Sequence, residues 1–251
     1  MISWIGGLLL LSGTAWAGAP RCPPTDLAQP PLFCPPRNPA LPNDGQPADD
    51  LVRCLAPLEV SFYDREGKLT RGTLVIHRDL AGPLGEIFDR IRRFNAARIA
   101  AGKTFFPITS ILPANRFGWS DEASMAADNT SAYNYRLKAG SHDASNLSMH
   151  AFGRAVDVNP FCNPWVGRRG DGTMRIDPPG AVDPATREPA EPIPDCALTR
   201  ATELGRFVIE AFAAKGWQWG GDWRNPKDYQ HFQNPPAEHE GDVKHAPFCH
   251  D

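Results

Sequence analysis

Three segments of the chain have a clear hydrophobic period. Residues 82–101 carry apolar side chains every three or four positions, which predicts an amphipathic helix packed on a sheet. Residues 199–217 follow the same period and reach a natural helix stop at Gly216, which predicts a second helix. Residues 58–78 alternate apolar and polar positions on both sides of residues 65–68, which predicts a β-hairpin.

Shorter patterns complete the predicted architecture. Residues 129–137 alternate and are rich in β-forming types, and residues 151–160 follow after a polar loop, so two adjacent strands are expected. The aromatic residues and glycines of residues 217–235 suit a strand, a turn and another strand. Strands and helices do not alternate as βαβ units, so the predicted class is α+β, with a small antiparallel sheet and flanking helices.

The amino terminus predicts a signal peptide over residues 1–17. An apolar run from Ile2 to Leu11 is followed by Ala15-Trp16-Ala17, which has the small-x-small form of a signal peptidase site. The run is shorter than the roughly 20 residues of a membrane-spanning helix, and no later segment is apolar enough to be one. An uncleaved anchor is the alternative. After cleavage, we expect a periplasmic or secreted protein without a membrane span.

Proline and cysteine content divides the rest of the chain. Residues 18–54 form a Pro- and Cys-rich extension, and residues 55–251 form the main domain. Within it, residues 162–196 lack any hydrophobic period and have a cysteine at each end, so we expect an ordered insertion, called the flap. The six cysteines all follow the predicted cleavage point, which favours disulfides, and we expect Cys162 to pair with Cys196. Sequence alone leaves the full pairing open.

Charge and spacing limit the functions that remain. With 26 basic and 29 acidic residues the net charge is −3, so neither a nucleic acid nor an anionic membrane is an expected partner. No CxxC pair is present to form a zinc knuckle. The sequons at Asn129 and Asn146 lie beside the candidate site described next, and we interpret them as unmodified and the source as bacterial.

Histidines and aspartates in two short stretches predict a metal site. His150 and Asp157 are seven positions apart, roughly 23 Å in an extended chain, so the backbone must fold back for both to reach one ion. Gly153 can permit this by adopting a positive φ. Asp228 and His231 are three apart and can face the same pocket from one turn. Two histidines and one aspartate would supply three ligands of a tetrahedral zinc site, leaving a carboxylate free as a base.

These residues also carry a family resemblance. The motif Ser148-x-His150-x-x-Gly153-x-Ala155-x-Asp157, followed by Gly220-Gly221-Asp222-Trp223 and Asp228-x-x-His231-Phe232, resembles the zinc D-alanyl-D-alanine carboxypeptidases. That family includes VanY-like carboxypeptidases, VanX-like dipeptidases and phage L-alanyl-D-glutamate endolysins, and its small α+β fold is shared with the Hedgehog signalling domain. The resemblance covers about residues 105–235. Many relatives read HFE where this chain has His231-Phe232-Gln233, so a role of that carboxylate is lost here.

The resemblance implies a role for each position. His150, Asp157 and His231 would bind Zn²⁺, Asp228 would be the catalytic carboxylate, and Arg136 would polarise the substrate. We further expect Ser148, Tyr135 and Trp219 to bind substrate. The implied partner is a peptidoglycan stem peptide. His239, His245 and His250 lie in a polar tail and are expected to be solvated.

Three functions remain open on the sequence. The leading prediction is a D-alanyl-D-alanine carboxypeptidase. An L-alanyl-D-glutamate endopeptidase would share its chemistry, whereas a catalytically silent zinc module would bind wall peptide or a protein partner. A binding module needs no base at position 228, so Asp228 favours an enzyme.

Overall fold

A computed structural model describes residues 32–143, 145–168, 172–183 and 192–236. The predicted signal peptide, parts of the flap and the histidines of the tail lie outside the described residues. The helices are α1 (Asp49–Arg53), α2 (Arg78–Ala100), α3 (Asp121–Ala126) and α4 (Glu203–Ala213), with 3₁₀ turns at Pro42–Gly45, Ala114–Phe117, Met149–Phe152 and Gly220–Asp222. The strands are β1 (Leu55–Tyr63), β2 (Leu69–His77), β3 (Ser110–Ile111), β4 (Asn129–Thr130), β5 (Ala155–Asp157), β6 (Trp165–Arg168), β7 (Met174–Asp177), β8 (Gln218–Trp219), β9 (Lys227–Asp228) and β10 (His231–Gln233).

The strands form several small sheets, which confirms the α+β class. Strands β1 and β2 pair alone, β5–β10–β8 and β7–β6–β9 are three-stranded, and all of these are antiparallel. Strands β3 and β4 pair in parallel. The sequence predicted one small antiparallel sheet, and the structure instead divides the pairing among four within the described residues.

The long elements form as their periods predict. Strands β1 and β2 pair from Leu55↔His77 to Tyr63↔Leu69, and the Asp64 carboxylate accepts hydrogen bonds from two backbone N–H groups of the turn. Helix α2 buries Leu84, Phe88 and neighbouring apolar side chains. It begins four residues before the predicted start, at Arg78, because the His77 ring accepts the Asp79 backbone N–H at 3.4 Å and caps the helix.

Helix α4 lies on the same core. Thr202 caps its start by accepting the Gly205 backbone N–H at 3.1 Å, and Gly216 follows its end with φ +77°. Its buried face, which includes Val208 and Phe212, joins the core that contains α2, β1, β2 and the apolar residues of β5, β8 and β10. No helix in the described ranges combines the length and the apolar character needed to cross a membrane.

The segment 129–137 is less regular than predicted. Only Asn129–Thr130 is a strand, and Ser131 then makes one bridge to Asp157. Further on, the Tyr133 N–H donates to the Val75 carbonyl and the Asn134 N–H to the His150 carbonyl. The backbone therefore passes from one neighbour to another, so no continuous ladder forms.

The flap contains structure that the sequence did not reveal. The structure contains the predicted disulfide between Cys162 and Cys196. Strands β6 and β7 form a hairpin inside the flap, and β6 pairs on its other edge with β9, opposite Asp228. The flap is thus built into the sheet that carries the predicted base.

The described part of the amino-terminal extension packs on the domain. The Tyr133 hydroxyl donates to the Phe33 carbonyl at 3.1 Å. Leu32, Phe33, Leu41 and Leu51 contact a second apolar cluster, whose buried members are Leu55, Val75, Tyr133, Tyr135 and Ala151. Cys34 and Cys54 are buried and disulfide-bonded.

Candidate metal centre

Three buried side chains from distant parts of the chain meet at one point. His150 Nε2 lies 3.0 Å from Asp157 Oδ2 and 3.1 Å from His231 Nδ1. His231 Nδ1 lies 3.0 Å from Asp157 Oδ1. In the part of the chain that the structure describes, no other three His, Cys, Asp or Glu side chains converge closely enough to hold a metal ion.

The sheet β5–β10–β8 places two of these side chains. Asp157 on β5 lies directly opposite His231 on β10, and the next pair, Val156 and Phe232, points to the other face and is fully buried in the core. Because side chains alternate between the faces of a strand, the apolar pair fixes Asp157 and His231 on the site face.

A tight turn places His150. Ser148 accepts the His150 backbone N–H at 3.3 Å and so caps the 3₁₀ turn Met149–Phe152. Gly153 ends the turn with φ +63°, as the sequence predicted. A Cβ atom at this position would lie 2.7 Å from both His77 N and Leu55 Cδ2, so glycine is required for space as well as for backbone conformation.

The outer hydrogen bonds leave both imidazoles with an unprotonated nitrogen facing the centre. His150 Nδ1 lies 2.5 Å from the Ala132 carbonyl, so it carries the proton and Nε2 is the inward acceptor. His231 Nε2 lies 3.2 Å from Gln233 Oε1, so it donates there and Nδ1 is the inward acceptor. Two ring nitrogens and a carboxylate therefore converge where they could hold a metal ion.

The donor set fits zinc. Tetrahedral zinc with bonds of about 2.0–2.1 Å separates its ligand atoms by about 3.3 Å. The two ring nitrogens here lie 3.1 Å apart and each lies 3.0 Å from a different oxygen of Asp157, and one ligand atom from each residue falls within 4.8 Å of the other two. Two imidazoles and one carboxylate are a common catalytic zinc set, which leaves a fourth position open. Burial alone would raise the pKa of the Asp157 carboxyl, but the adjacent His150 and His231 hold that pKa well below its usual range.

Asp228 lies beside this centre on a different strand. A Cβ atom on Gly220 would be 2.9 Å from Asp228 Cβ and 3.3 Å from His231 Cβ, so the two side chains leave the backbone as near neighbours. They belong to two strands joined by a bend, not to one turn as the sequence suggested. Asp228 Oδ1 is buried and has no hydrogen-bond partner among the described residues.

The surroundings of Asp228 make it a stronger base than an ordinary carboxylate. Burial raises the pKa of Asp228 to about 7; the neighbouring His231 and Arg136 oppose that rise, and the negative charge of Asp157 adds to it. Asp157 and Asp228 therefore differ strongly in proton affinity although they share one site.

Arg136 reaches the site between two carboxylates. Its Nε lies 3.1 Å from Asp121 Oδ1 and its Nη2 lies 3.8 Å from Asp157 Oδ2. The Arg136 side chain is 23% exposed, although its Nε is buried. Asp121, which orients this arginine from the first turn of α3, was not identified in the sequence, because nothing in its local pattern marks a partner 15 residues away.

The three residues that the sequence predicted to bind substrate each make a structural contact within the fold. Ser148 is buried and its hydroxyl caps the turn of His150. Tyr135 is buried in the second apolar cluster. Trp219 packs in the main core and donates its indole N–H to the Tyr229 carbonyl at 2.8 Å.

Two further residues near the centre were missed as site residues. The Trp223 ring lies 5.2 Å from the His231 ring, centroid to centroid, and lines a groove of about 310 Å³ together with Trp217 and Arg200. Gln233 accepts from His231 Nε2, although its motif position was interpreted as a lost role. Gln233 could have been identified from the sequence, because it lies two residues after His231 and side chains at that spacing share one face of a strand.

A known protein family matches the part of the chain that carries the candidate metal centre. Residues 141–234 match the model of a family described as D-alanyl-D-alanine carboxypeptidase. The matched segment contains His150, Asp157, Asp228 and His231, whereas Arg136 precedes it. No curated protein and no solved structure matches the chain. The family match confirms the resemblance found in the sequence and supports a metallopeptidase domain.

Proposed function

We propose that this chain, whose residues 141–234 match the family described as D-alanyl-D-alanine carboxypeptidase, hydrolyses stem peptides of bacterial peptidoglycan. The proposed reaction removes the terminal D-alanine and takes place outside the cytoplasm. His150, Asp157 and His231 are the proposed zinc ligands, Asp228 the proton acceptor and Arg136 the positive charge that stabilises the reacting carbonyl.

One observation supports an enzyme over a zinc-containing binding module. Asp228 has a buried carboxylate oxygen without a hydrogen-bond partner in the described residues, next to the His231 side chain. Leaving a buried polar atom unsatisfied lowers stability, which a binding module would have no reason to retain. A peptidase requires a proton acceptor at this place.

The side chains of the site can carry out peptide hydrolysis. When bound, zinc supplies Lewis-acid polarisation of a carbonyl and lowers the pKa of water. Asp228, with its pKa near 7, accepts a proton from the attacking water and can return it to the leaving amine. Arg136 places a guanidinium where the carbonyl oxygen gains negative charge, and its ion pair with Asp121 keeps it in position.

Two features support the proposed location. The Cys162–Cys196 disulfide suits an oxidising compartment. The family acts on wall peptides, which lie outside the cytoplasm, and the predicted signal peptide provides a route of export. The described residues contain no helix that could cross a membrane.

Purified protein loaded with zinc and incubated with muropeptides tests the proposal. Mass spectrometry of the products should show loss of one D-alanine from the pentapeptide stem. Cleavage between L-alanine and D-glutamate would replace the proposed scissile bond by the alternative one. Absence of any cleavage by zinc-loaded protein would favour a binding module.

Two variants separate the proposed roles of Asp228 and His231. Asp228→Asn should keep one zinc per chain and lose roughly 10²- to 10⁴-fold in rate, because an amide cannot accept the proton. His231→Ala should lose both zinc and activity, because only two protein ligands remain. An Asp228→Asn variant without zinc would show that Asp228 is a ligand, and a fully active one would require a different base.

A further inference from the structure

Strand β10 places a second polar side chain next to the ligand His231. His231 and Gln233 are two residues apart, so they share the site face of the strand, while Phe232 between them is fully buried in the core. Gln233 Oε1 lies 3.2 Å from His231 Nε2, the ring nitrogen that faces away from Asp157.

The neighbouring strand fixes the orientation of the Gln233 amide. Gln218 on β8 lies directly opposite Gln233 in the sheet. The Gln233 Nε2 donates to Gln218 Oε1 at 3.1 Å, which turns the Gln233 oxygen toward His231. The two amides therefore form a short hydrogen-bonded chain that ends on the imidazole.

This chain determines which nitrogen of His231 is available to a metal. An imidazole that donates from Nε2 presents an unprotonated Nδ1, and His231 Nδ1 is the atom that faces His150 and Asp157. The Ala132 carbonyl holds His150 in the same manner, by accepting a hydrogen bond from its Nδ1. Both histidines thus donate outward to a neutral oxygen.

The neutrality of Gln233 also matters for the charge of the site. Asp157, Asp228 and Asp121 already supply carboxylates around Arg136. A carboxylate at position 233 would provide the same acceptor and add a further negative charge, whereas the amide provides the acceptor alone. The position in the motif therefore keeps a hydrogen-bonding role without a charge.

We infer that Gln233, oriented by Gln218, is a positioning residue that holds His231 with Nδ1 toward the metal. The inference rests on the metal site of the proposed function but not on its peptide substrate. Gln233 touches the ligand histidine and is not itself a ligand.

Zinc affinity measured by competition with a chromophoric chelator tests the inference. Gln233→Leu has nearly the same volume and no acceptor, and it should weaken zinc binding about 10- to 100-fold, as loss of an outer hydrogen-bond partner does. Gln233→Glu restores an acceptor and should bind zinc at least as tightly as the parent. Gln218→Leu, which only frees the Gln233 amide to rotate, should weaken binding in the same direction by a smaller factor.

A matched control and a spectroscopic measurement separate positioning from general damage. Gln46→Leu removes a glutamine of the amino-terminal extension that donates to the Pro35 carbonyl and contacts none of the proposed ligands, and it should leave zinc affinity unchanged. In zinc-loaded protein, the His231 Nε2–H proton should be protected from solvent exchange in the parent and in Gln233→Glu, but not in Gln233→Leu.

Two results would overturn the inference. One is a Gln233→Leu affinity within threefold of the parent, and the other is a Gln233→Glu variant as weak as Gln233→Leu. If Gln233→Leu does not fold, the zinc affinities of Gln218→Leu and Gln233→Glu, each compared with the parent, test the inference instead. Tight zinc binding without any peptide cleavage would refute the proposed function and leave this inference standing.

Discussion

At the scale of single residues, the site separates two carboxylates by their surroundings. Asp157 lies between two imidazoles that keep it ionised, whereas burial raises the pKa of Asp228 to about 7. Pairs of acidic groups whose environments shift their pKa values apart commonly divide the ligand and proton-transfer roles between them. The proposed assignment of Asp157 to the metal and Asp228 to the proton follows this division.

The raised pKa of Asp228 predicts a stability effect in metal-free protein. Between its unfolded pKa of about 4 and its folded pKa of about 7, the folded state binds the proton more tightly, so unfolding free energy falls as pH rises through this window. Asp228→Asn lacks this loss and should be more stable than the parent above pH 7, by about 1–3 kcal/mol. Urea unfolding with chelator from pH 4 to 8 measures the difference, which should vanish near pH 4. A constant difference would contradict the raised pKa.

Arg136→Lys should retain zinc and lose most turnover. Lysine keeps the positive charge, but it replaces the planar fork that reaches toward both Asp121 and Asp157 by a single point donor. Zinc content and steady-state rates on the same preparation measure the two effects. Arg71→Lys, an exposed substitution on β2, is the control. A variant as fast as the parent would show that Arg136 does not assist the reaction.

At the scale of elements, the alternation of three short strands builds the centre. One face of β5, β10 and β8 carries Val156, Phe232 and Trp219 into the core. The other face carries the ligands together with Gln233 and Gln218. A shift of one residue in this register would exchange the two faces, so core packing and ligand placement are set by the same pairing.

Long elements were predictable from sequence because each has many apolar residues at one period. The β1–β2 hairpin, α2 and α4 are of this kind. Strands β6 and β7 have four residues each and depend on pairing with each other and with β9, a contact across about 60 residues of chain that no local pattern records. The Gln218–Gln233 bond was hidden for the same reason, since it depends on cross-strand register.

The disulfide of the flap should contribute to stability and turnover but not to zinc binding. Replacing both Cys162 and Cys196 by serine should lower the unfolding free energy by about 3–4 kcal/mol in the chain-entropy model. Zinc binding should persist because all three ligands lie outside the flap. Turnover should fall, because β6 would hold β9 and Asp228 less firmly. Denaturant unfolding, zinc content and rates measure these effects separately, and an unchanged rate would limit the flap to a stabilising role.

At the scale of the whole molecule, the centre joins parts of the chain that are far apart in sequence. His150 directly precedes Ala151 of the second apolar cluster, on which the amino-terminal extension packs, whereas His231 directly precedes Phe232 of the main core, on the strand between β5 and β8. The candidate centre therefore takes its ligands from segments that contribute residues to both apolar clusters. An ion would find all three ligands together only in the folded state.

Zinc should therefore stabilise the whole domain against unfolding. Binding to the folded state alone adds about 4 kcal/mol at a free zinc concentration of 1,000 times the dissociation constant. For a chain of this size, such a gain raises the melting temperature by on the order of 10 °C. Calorimetry with chelator and with zinc measures the shift, and His231→Ala should abolish it. An equal shift in His231→Ala would place the bound zinc elsewhere, and a protein truncated before His239 would then show whether the histidines of the tail bind it.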